Sequence, residues 1–320
     1  MGKEMSRAKF IIPEPQPSLS IVGILREALK VTIRNGKVMM SILLPVFISL
    51  SLLAVGAHLA SVPILTDLLS KMALVTQEEE PVRGEVAETL GLGIVKDVRR
   101  LLVLQLVVLV FSCVVLLNFS VATISSSFEA YTGKILNLKD MLLTIRKSWK
   151  RAIVTTFFMT IIFLSIMALI LILLGFVWVM SKGVYLILLT VAVVILGTCC
   201  YVYIASVWML SMVVSIVEDD SSGLRAIDRA GELMKGKRIQ GCVIMLPLTL
   251  IIGAIYRTPL GMIEKIDKIT FTPMIIRIAG IWLICVVKLF MFVVYSVFYH
   301  ECKKAKDELG WYAPVAPEEA

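Results

Sequence analysis

The sequence predicts an all-α fold: a polytopic membrane helix bundle of about six transmembrane helices, with cytosolic interfacial amphipathic helices and a three-fold internal repeat. Three observations lead there. Apolar residues make up 58% of the 320 residues and charged residues 18%, against about half and about a quarter in soluble domains. Apolar residues gather into six long runs, five of them uncharged and the sixth carrying one Lys. Lys and Arg fall unevenly on the two sides that those runs define. A mean hydropathy of +0.91 over the whole chain indicates lipid-facing surface rather than a large water-excluded core.

The first element is polar. Residues 1–17 carry Pro13, Pro15 and Pro17 and are expected to form a disordered cytosolic N-terminus. Secretory signals begin with a basic stretch and a short apolar region. Here the first long apolar run starts only near Val38, so span 1 is expected to act as its own insertion signal. Residues 18–300 are read as one six-span membrane domain, and residues 301–320 as a cytosolic tail.

About 20 apolar residues are needed to cross the hydrocarbon core. Met39 to Thr66 contains span 1, Leu101 to Phe128 span 2 and Ala152 to Ser181 span 3. Gly183 to Val217 contains span 4, Gly241 to Tyr256 span 5 and Ile278 to Tyr299 span 6, interrupted by Lys288. Spans 3 and 4 form a tight hairpin, because only Ser181-Lys182-Gly183 separates them. Span 5 is short and carries Pro247 and Gly253; a re-entrant segment is its alternative.

Positive residues set orientation. The segments that would share a side with the N-terminus hold 21 Lys and Arg, the opposite segments 10. Both termini are therefore expected in the cytosol, in an endoplasmic reticulum, other endomembrane or plasma-membrane protein. Its expected partners are the lipid bilayer and proteins at the cytosolic face. The net charge of +8 does not imply nucleic acid, because the basic residues flank apolar runs, where anionic headgroups lie.

Three amphipathic segments precede the odd-numbered spans, and they define units 18–127, 135–217 and 222–300. Ser20 to Lys37 places Ile21, Ile24, Leu25, Ala28 and Leu29 on one face. Leu138 to Arg151 does so with Leu138, Met141, Leu142, Ile145 and Trp149. Ser222 to Arg238 has Leu224, Ile227 and Met234. Spacing of i, i+3, i+4, i+7 marks a one-sided helix, and a basic one before a span is expected to lie in the interface. Asn35-Gly36 and Lys235-Gly236 are expected to stop the first and third helices by a left-handed cap. Leu142, Ile145 and Trp149 are the candidate membrane-interface or partner face. The first unit carries an outer insertion, residues 62–100, acidic at Glu78-Glu79-Glu80, with short helices expected at Ile64–Leu74 and Val86–Arg100.

The third unit runs Val217-Glu-Asp-Asp-Ser-Ser-Gly-Leu-Arg-Ala-Ile-Asp-Arg-Ala-Gly-Glu-Leu-Met-Lys-Gly-Lys-Arg238. With Glu218, Ala226, Arg229, Leu233 and Gly236 it resembles the membrane-domain family named for the membrane regions of glycerophosphoryl diester phosphodiesterases. That pattern is an acidic residue and turn after a span, then Ala-x-x-Arg-Ser-Trp-x-Leu-x-x-Gly. Ala230 and Gly231 stand where Ser-Trp is usual, while Ser148-Trp149 keeps the pair in the middle unit. The chain is also similar to uncharacterised multi-pass transmembrane proteins of plants with this layout. The resemblance covers most of residues 18–300 and implies the layout only; no phosphodiesterase catalytic segment is present to carry that activity.

No catalytic constellation, cofactor site or metal site is expected. His58 and His300 are the two histidines, and no span core carries Asp or Glu, which argues against a carboxylate relay. Gly231-x4-Gly236-Lys237 begins like a phosphate-binding loop, but Arg238 stands where Ser or Thr would hold the metal. The six cysteines fit small buried apolar residues. Cys302, just past span 6, is a candidate for palmitoylation, and Gly2 for myristoylation.

Lys288 is the one charge near the middle of a span, where a charge is costly. One reading is an interior lysine that binds an anionic group, with Asn118, Ser206 and Ser211 as neighbours. The other is a lysine that snorkels to the cytosolic headgroups. The leading functional expectation is a non-enzymatic scaffold that organises lipid or partner proteins through its cytosolic interfacial helices. The alternative is a transporter or channel for a lipid-like or anionic solute that uses Lys288.

Overall fold

The computed structural model describes residues 19–77, 84–132, 138–180, 183–218, 221–263 and 272–311. The expectations for residues 1–17, Gly2 and Glu78-Glu79-Glu80 lie outside the described residues, as does the end of the tail. Eight helices follow in order: α1 Ile21–Arg34, α2 Gly36–Gln77, α3 Gly84–Thr132, α4 Leu138–Met180, α5 Val184–Val217, α6 Leu224–Leu233, α7 Arg238–Ile263 and α8 Thr272–Trp311. Six of them, α2 to α5, α7 and α8, are long and apolar enough to cross a membrane. The protein is a multi-pass helical membrane protein.

Span 5 is an unbroken helix through Pro247 and Gly253, with 20 residues of membrane-crossing character from Arg238 to Arg257. That is one crossing length. The helix of span 6 continues to Trp311, so the start of the expected tail is helical. The expected short helix at Ile64–Leu74 is not separate: α2 continues through Pro45 and Pro63 to Gln77, 42 residues in all. At 1.5 Å per residue this is about 60 Å, twice the hydrocarbon thickness. The 49 residues of α3 are longer still, about 70 Å. Beyond the spans these two helices are clamped by Lys71, which bonds both Asp67 on its own helix and the buried Asp97 of α3.

The amphipathic segments take three different forms. Ser20 caps α1, its hydroxyl accepting from the Gly23 amide at 3.3 Å, which satisfies one of the donors a helix start leaves open. Ile24, Ala28 and Val31 of α1 are buried, whereas Leu29 of the expected face is half exposed. Gly36 opens α2 instead of capping α1; the break falls at Asn35, whose side chain bonds the Val31 carbonyl. The middle segment, 138–151, is no separate helix at all but the first part of α4. Helix α6 buries Ala226, Ala230 and Leu233 and leaves Leu224 exposed, so its inner face is its small-residue face. Gly236 does take a positive φ after it, 89°.

The core lies at one end, here termed the base, where α1 and α6 sit. Among the described residues, the buried ones of α2 fall between Met39 and Val46, with only Leu68 beyond. In α3 they run from Phe119 to Ala130, apart from Asp97, in α5 from Gly197 to Ile216, in α7 from Gly241 to Leu248 and in α8 from Cys285 to Cys302. Helix α8 is the axis: among the described residues it packs against every other helix except α4. Met291 to Tyr299 are buried without interruption, the mark of a helix enclosed on all sides. The far halves lack such a core. Val184 to Leu189 of α5, for example, are mostly exposed, as is much of α4 from Leu164 to Val179, and these surfaces are apolar enough to meet lipid.

Glycine is required where α5 hands over to α6. Gly223 has φ +59°, and a Cβ there would lie 3.1 Å from Val154 Cγ1 and 3.3 Å from Phe158 Cδ2. Its amide donates to the Thr155 hydroxyl at 3.0 Å, which fixes α6 to α4. Gly183, at the far end, has a similar φ of +64° but open space around it. Gly183→Ala carries only the backbone cost, of order 1–3 kcal/mol. Gly223→Ala adds overpacking, typically about 1–3 kcal/mol more. Apparent melting temperatures of both variants in one detergent check this: Gly223→Ala is expected to fall clearly below Gly183→Ala, and equal losses would contradict the packing argument.

Candidate functional site

The polar chemistry of the described residues converges at the base on Glu218, the residue that ends α5. Its backbone amide closes the last turn of α5 on Val214 at 2.8 Å, and its side chain points at three other groups. Tyr299 of α8 donates its hydroxyl to Oε1 at 2.8 Å. Ser221 donates to Oε2 at 3.3 Å, and Arg229 of α6 approaches the same oxygen at 3.7 Å. Arg151 of α4 donates to the Glu218 backbone carbonyl at 2.8 Å. One residue thereby joins α4, α5, α6 and α8. A hydrogen bond to a charged partner contributes about 1.5–3 kcal/mol, more than a neutral one.

A second polar contact lies deeper. Tyr295 donates to Ser206 Oγ and to the Gly241 carbonyl, both at 3.1 Å, and all three residues are buried. Gly241 lets α7 come this close: a Cβ there would lie 2.7 Å from Met234 Cε. At the rim, Glu301 accepts from the Leu19 amide at 3.2 Å, and its carbonyl accepts from Lys237 at 3.3 Å. Lys306 pairs with Glu232 at 2.9 Å. That ammonium, with Arg229 and Lys235 behind it, holds the Glu232 carboxyl below its ordinary range. His300 is stacked between Phe128 and Tyr131, at 5.0 and 4.4 Å.

The residues singled out in the sequence scatter around this base. Trp149 is 37% exposed, on a stretch of α4 whose backbone is described while the side chains of Leu142 and Ile145 lie outside the described residues. Cys302 is 1% exposed; acylation would need the base to open around it. Lys288 is partly buried, on α8 just before the enclosed stretch. No hydrogen bond or ion pair joins its ammonium to another described residue. Its expected neighbours are occupied elsewhere: Asn118 bonds the Val114 carbonyl, Ser211 the Val207 carbonyl, and Ser206 the Val202 and Gly241 carbonyls. Among the described residues no three of His, Cys, Asp and Glu come together as a metal-ligand set.

Sequence reasoning missed Tyr299, Arg151, Thr155 and Tyr295, which hold the base together. Glu218, Ala226 and Arg229 were singled out through a resemblance; Glu218 and Arg229 face each other and Ala226 is buried. In the tie, Tyr299→Phe removes one donor and leaves the Glu218 carboxylate to Ser221 and Arg229. The variant is expected to lose about 1.5–3 kcal/mol of stability, and Tyr299→Phe in a Glu218→Gln background much less. A double-mutant cycle on apparent unfolding in detergent checks it; additive losses would mean that the two groups are not coupled.

Comparison with known proteins places this architecture. No curated protein matches the chain, and no solved structure does. A family model, Domain of unknown function (DUF8558), matches residues 13–309, a stretch that holds all eight helices but the last two residues of α8. The protein is a member of that family.

Proposed function

We propose that this protein is a non-enzymatic organiser of the membrane, acting through its base on lipid or on partner proteins. The observation that carries the proposal is how the polar groups of the base are used. Glu218, Tyr299, Arg151, Ser206 and Tyr295 are engaged with one another across helices. They hold a platform together instead of lining a reaction chamber. The same end carries the excess of Lys and Arg, so we place it in the cytosol beside anionic headgroups. The three-fold repeat and the kinship to the phosphodiesterase membrane-domain family belong to this proposal. Glu218, Ala226 and Arg229, which suggest that kinship, lie at the tie between α5 and α6.

Trp149 of α4 is exposed at the base, and we take the segment around it as the face that meets partners. Replacing Leu142, Ile145 and Trp149 together by Ser is expected to remove cross-linked protein neighbours and to speed lateral diffusion in cells, with the fold intact. Unchanged neighbours and unchanged diffusion would count against the organiser.

Lys288 favours a second reading, passage of an anionic or lipid-like solute, because its ammonium has no protein partner among the described residues. A single Cys at 288, in a background without the six native cysteines, tests it with aqueous thiol reagents in sealed vesicles. Labelling supports a wet path at mid-bilayer depth; protection from both sides supports a snorkelling lysine and leaves the organiser.

A further inference from the structure

A cleft of about 620 Å³ opens between α4, α5 and α6, at the edge of the base. Its volume falls within the range of small-molecule sites, roughly 300–1,000 Å³. Its two ends differ in chemistry. The inner end is apolar, with Ile162 and Ile166 of α4 and Ile204 and Val207 of α5. The outer end is charged, with Asp228 and Glu232 of α6, Lys235 of the following turn and Arg238 at the start of α7. The α4 lining runs from Met159 to Ile166, two helical turns or about 10 Å.

The balance of charge at the outer end decides the ligand. Glu232 is already neutralised by Lys306 at 2.9 Å and Arg229 at 3.6 Å. Lys235 and Arg238 are exposed, and neither enters an ion pair among the described residues. Two basic side chains therefore face the mouth against the one remaining acid, Asp228. Arg and Lys at a membrane interface suit a phosphodiester, Arg through paired N–H donors and Lys as a point charge. The apolar inner end lies where an acyl chain would run.

We propose that this cleft is a binding site for one phospholipid molecule, its phosphate held by Lys235 and Arg238 and an acyl chain laid along Ile162 and Ile166. The inference rests on the organiser reading and deepens it, by naming a lipid and a face distinct from the Leu142–Trp149 face. Failure here leaves the partner-face result standing, and the reverse.

The test uses the full chain in nanodiscs doped with phosphatidylglycerol that carries a diazirine in its acyl chain. Adducts are mapped by peptide mass spectrometry. Adducts at Ile162, Ile166 and Tyr203 are expected to exceed those on the lipid-facing surface near Leu188 at least fivefold. The Lys235→Ala/Arg238→Ala variant, changed only at exposed residues, is expected to erase that excess, and Ile166→Trp to do the same by filling the cleft. A diazirine-tailed diacylglycerol, which lacks the phosphate, is expected to show no excess in the unaltered protein. Uniform labelling, an excess that survives loss of both charges, or an equal excess with diacylglycerol would each overturn the proposal.

Discussion

The carboxylate of Glu218 sits at the end of α5, where side chains of α6 and α8 converge on it, and a carboxylate at such a place must be satisfied by protein. Water reaches it poorly, since the side chain is mostly covered, and an unpaired charge there would be costly. Tyr299, Ser221 and Arg229 meet that demand from three directions. Their positions in turn fix α8, the α5–α6 turn and α6. With α6 in place, Ala226 and Ala230 can approach the bundle closely, and Thr155 can take the Gly223 amide. Lateral packing alone would not select one arrangement so sharply, because lipid tails are as apolar as the helices they surround.

The same constraint explains why the base is dense and the far halves are not. Polar groups concentrated at one end require close, mutually satisfying contact there. Farther along, hydroxyls such as Ser165, Thr198 and Thr249 bond to the carbonyl four residues back on their own helix. They ask nothing of a neighbouring helix, so those segments can meet lipid. The long α2–α3 arm repeats the principle in miniature: Lys71 and Asp97 tie two helices where the apolar spans have ended.

The spans were legible in the sequence because a charge-free run of crossing length is a long signal that few other structures produce. The start of α4 was harder. A basic amphipathic stretch reads the same whether it lies flat on a membrane or continues straight into a span, and nothing local at residues 138–151 marks a break. The helix expected at Ile64–Leu74 is part of α2, which runs through Pro63, since a proline in an apolar helix need not end it when neighbouring groups take up the freed carbonyl. The inner face of α6 escaped hydrophobic periodicity because two of its three buried residues, Ala226 and Ala230, are alanines, whose contribution is closeness and not bulk. The Glu218–Tyr299 bond joins residues 81 positions apart, and no spacing rule reaches that far. Lys288 was conspicuous at once, but the groups expected beside it, Asn118, Ser206 and Ser211, are satisfied by their own or adjoining backbones.

One end of this bundle is a single packed body around α8, and the other end is held chiefly within helical hairpins. Spin-label distance distributions measure it directly. One label pair at Val22 and Ile239, both exposed at the base, and another at Leu69 and Tyr185, both exposed toward the far side, would be compared in the same nanodiscs. A narrow distribution is expected for the base pair and a broad one for the far pair. A base distribution as broad as the far one would contradict it.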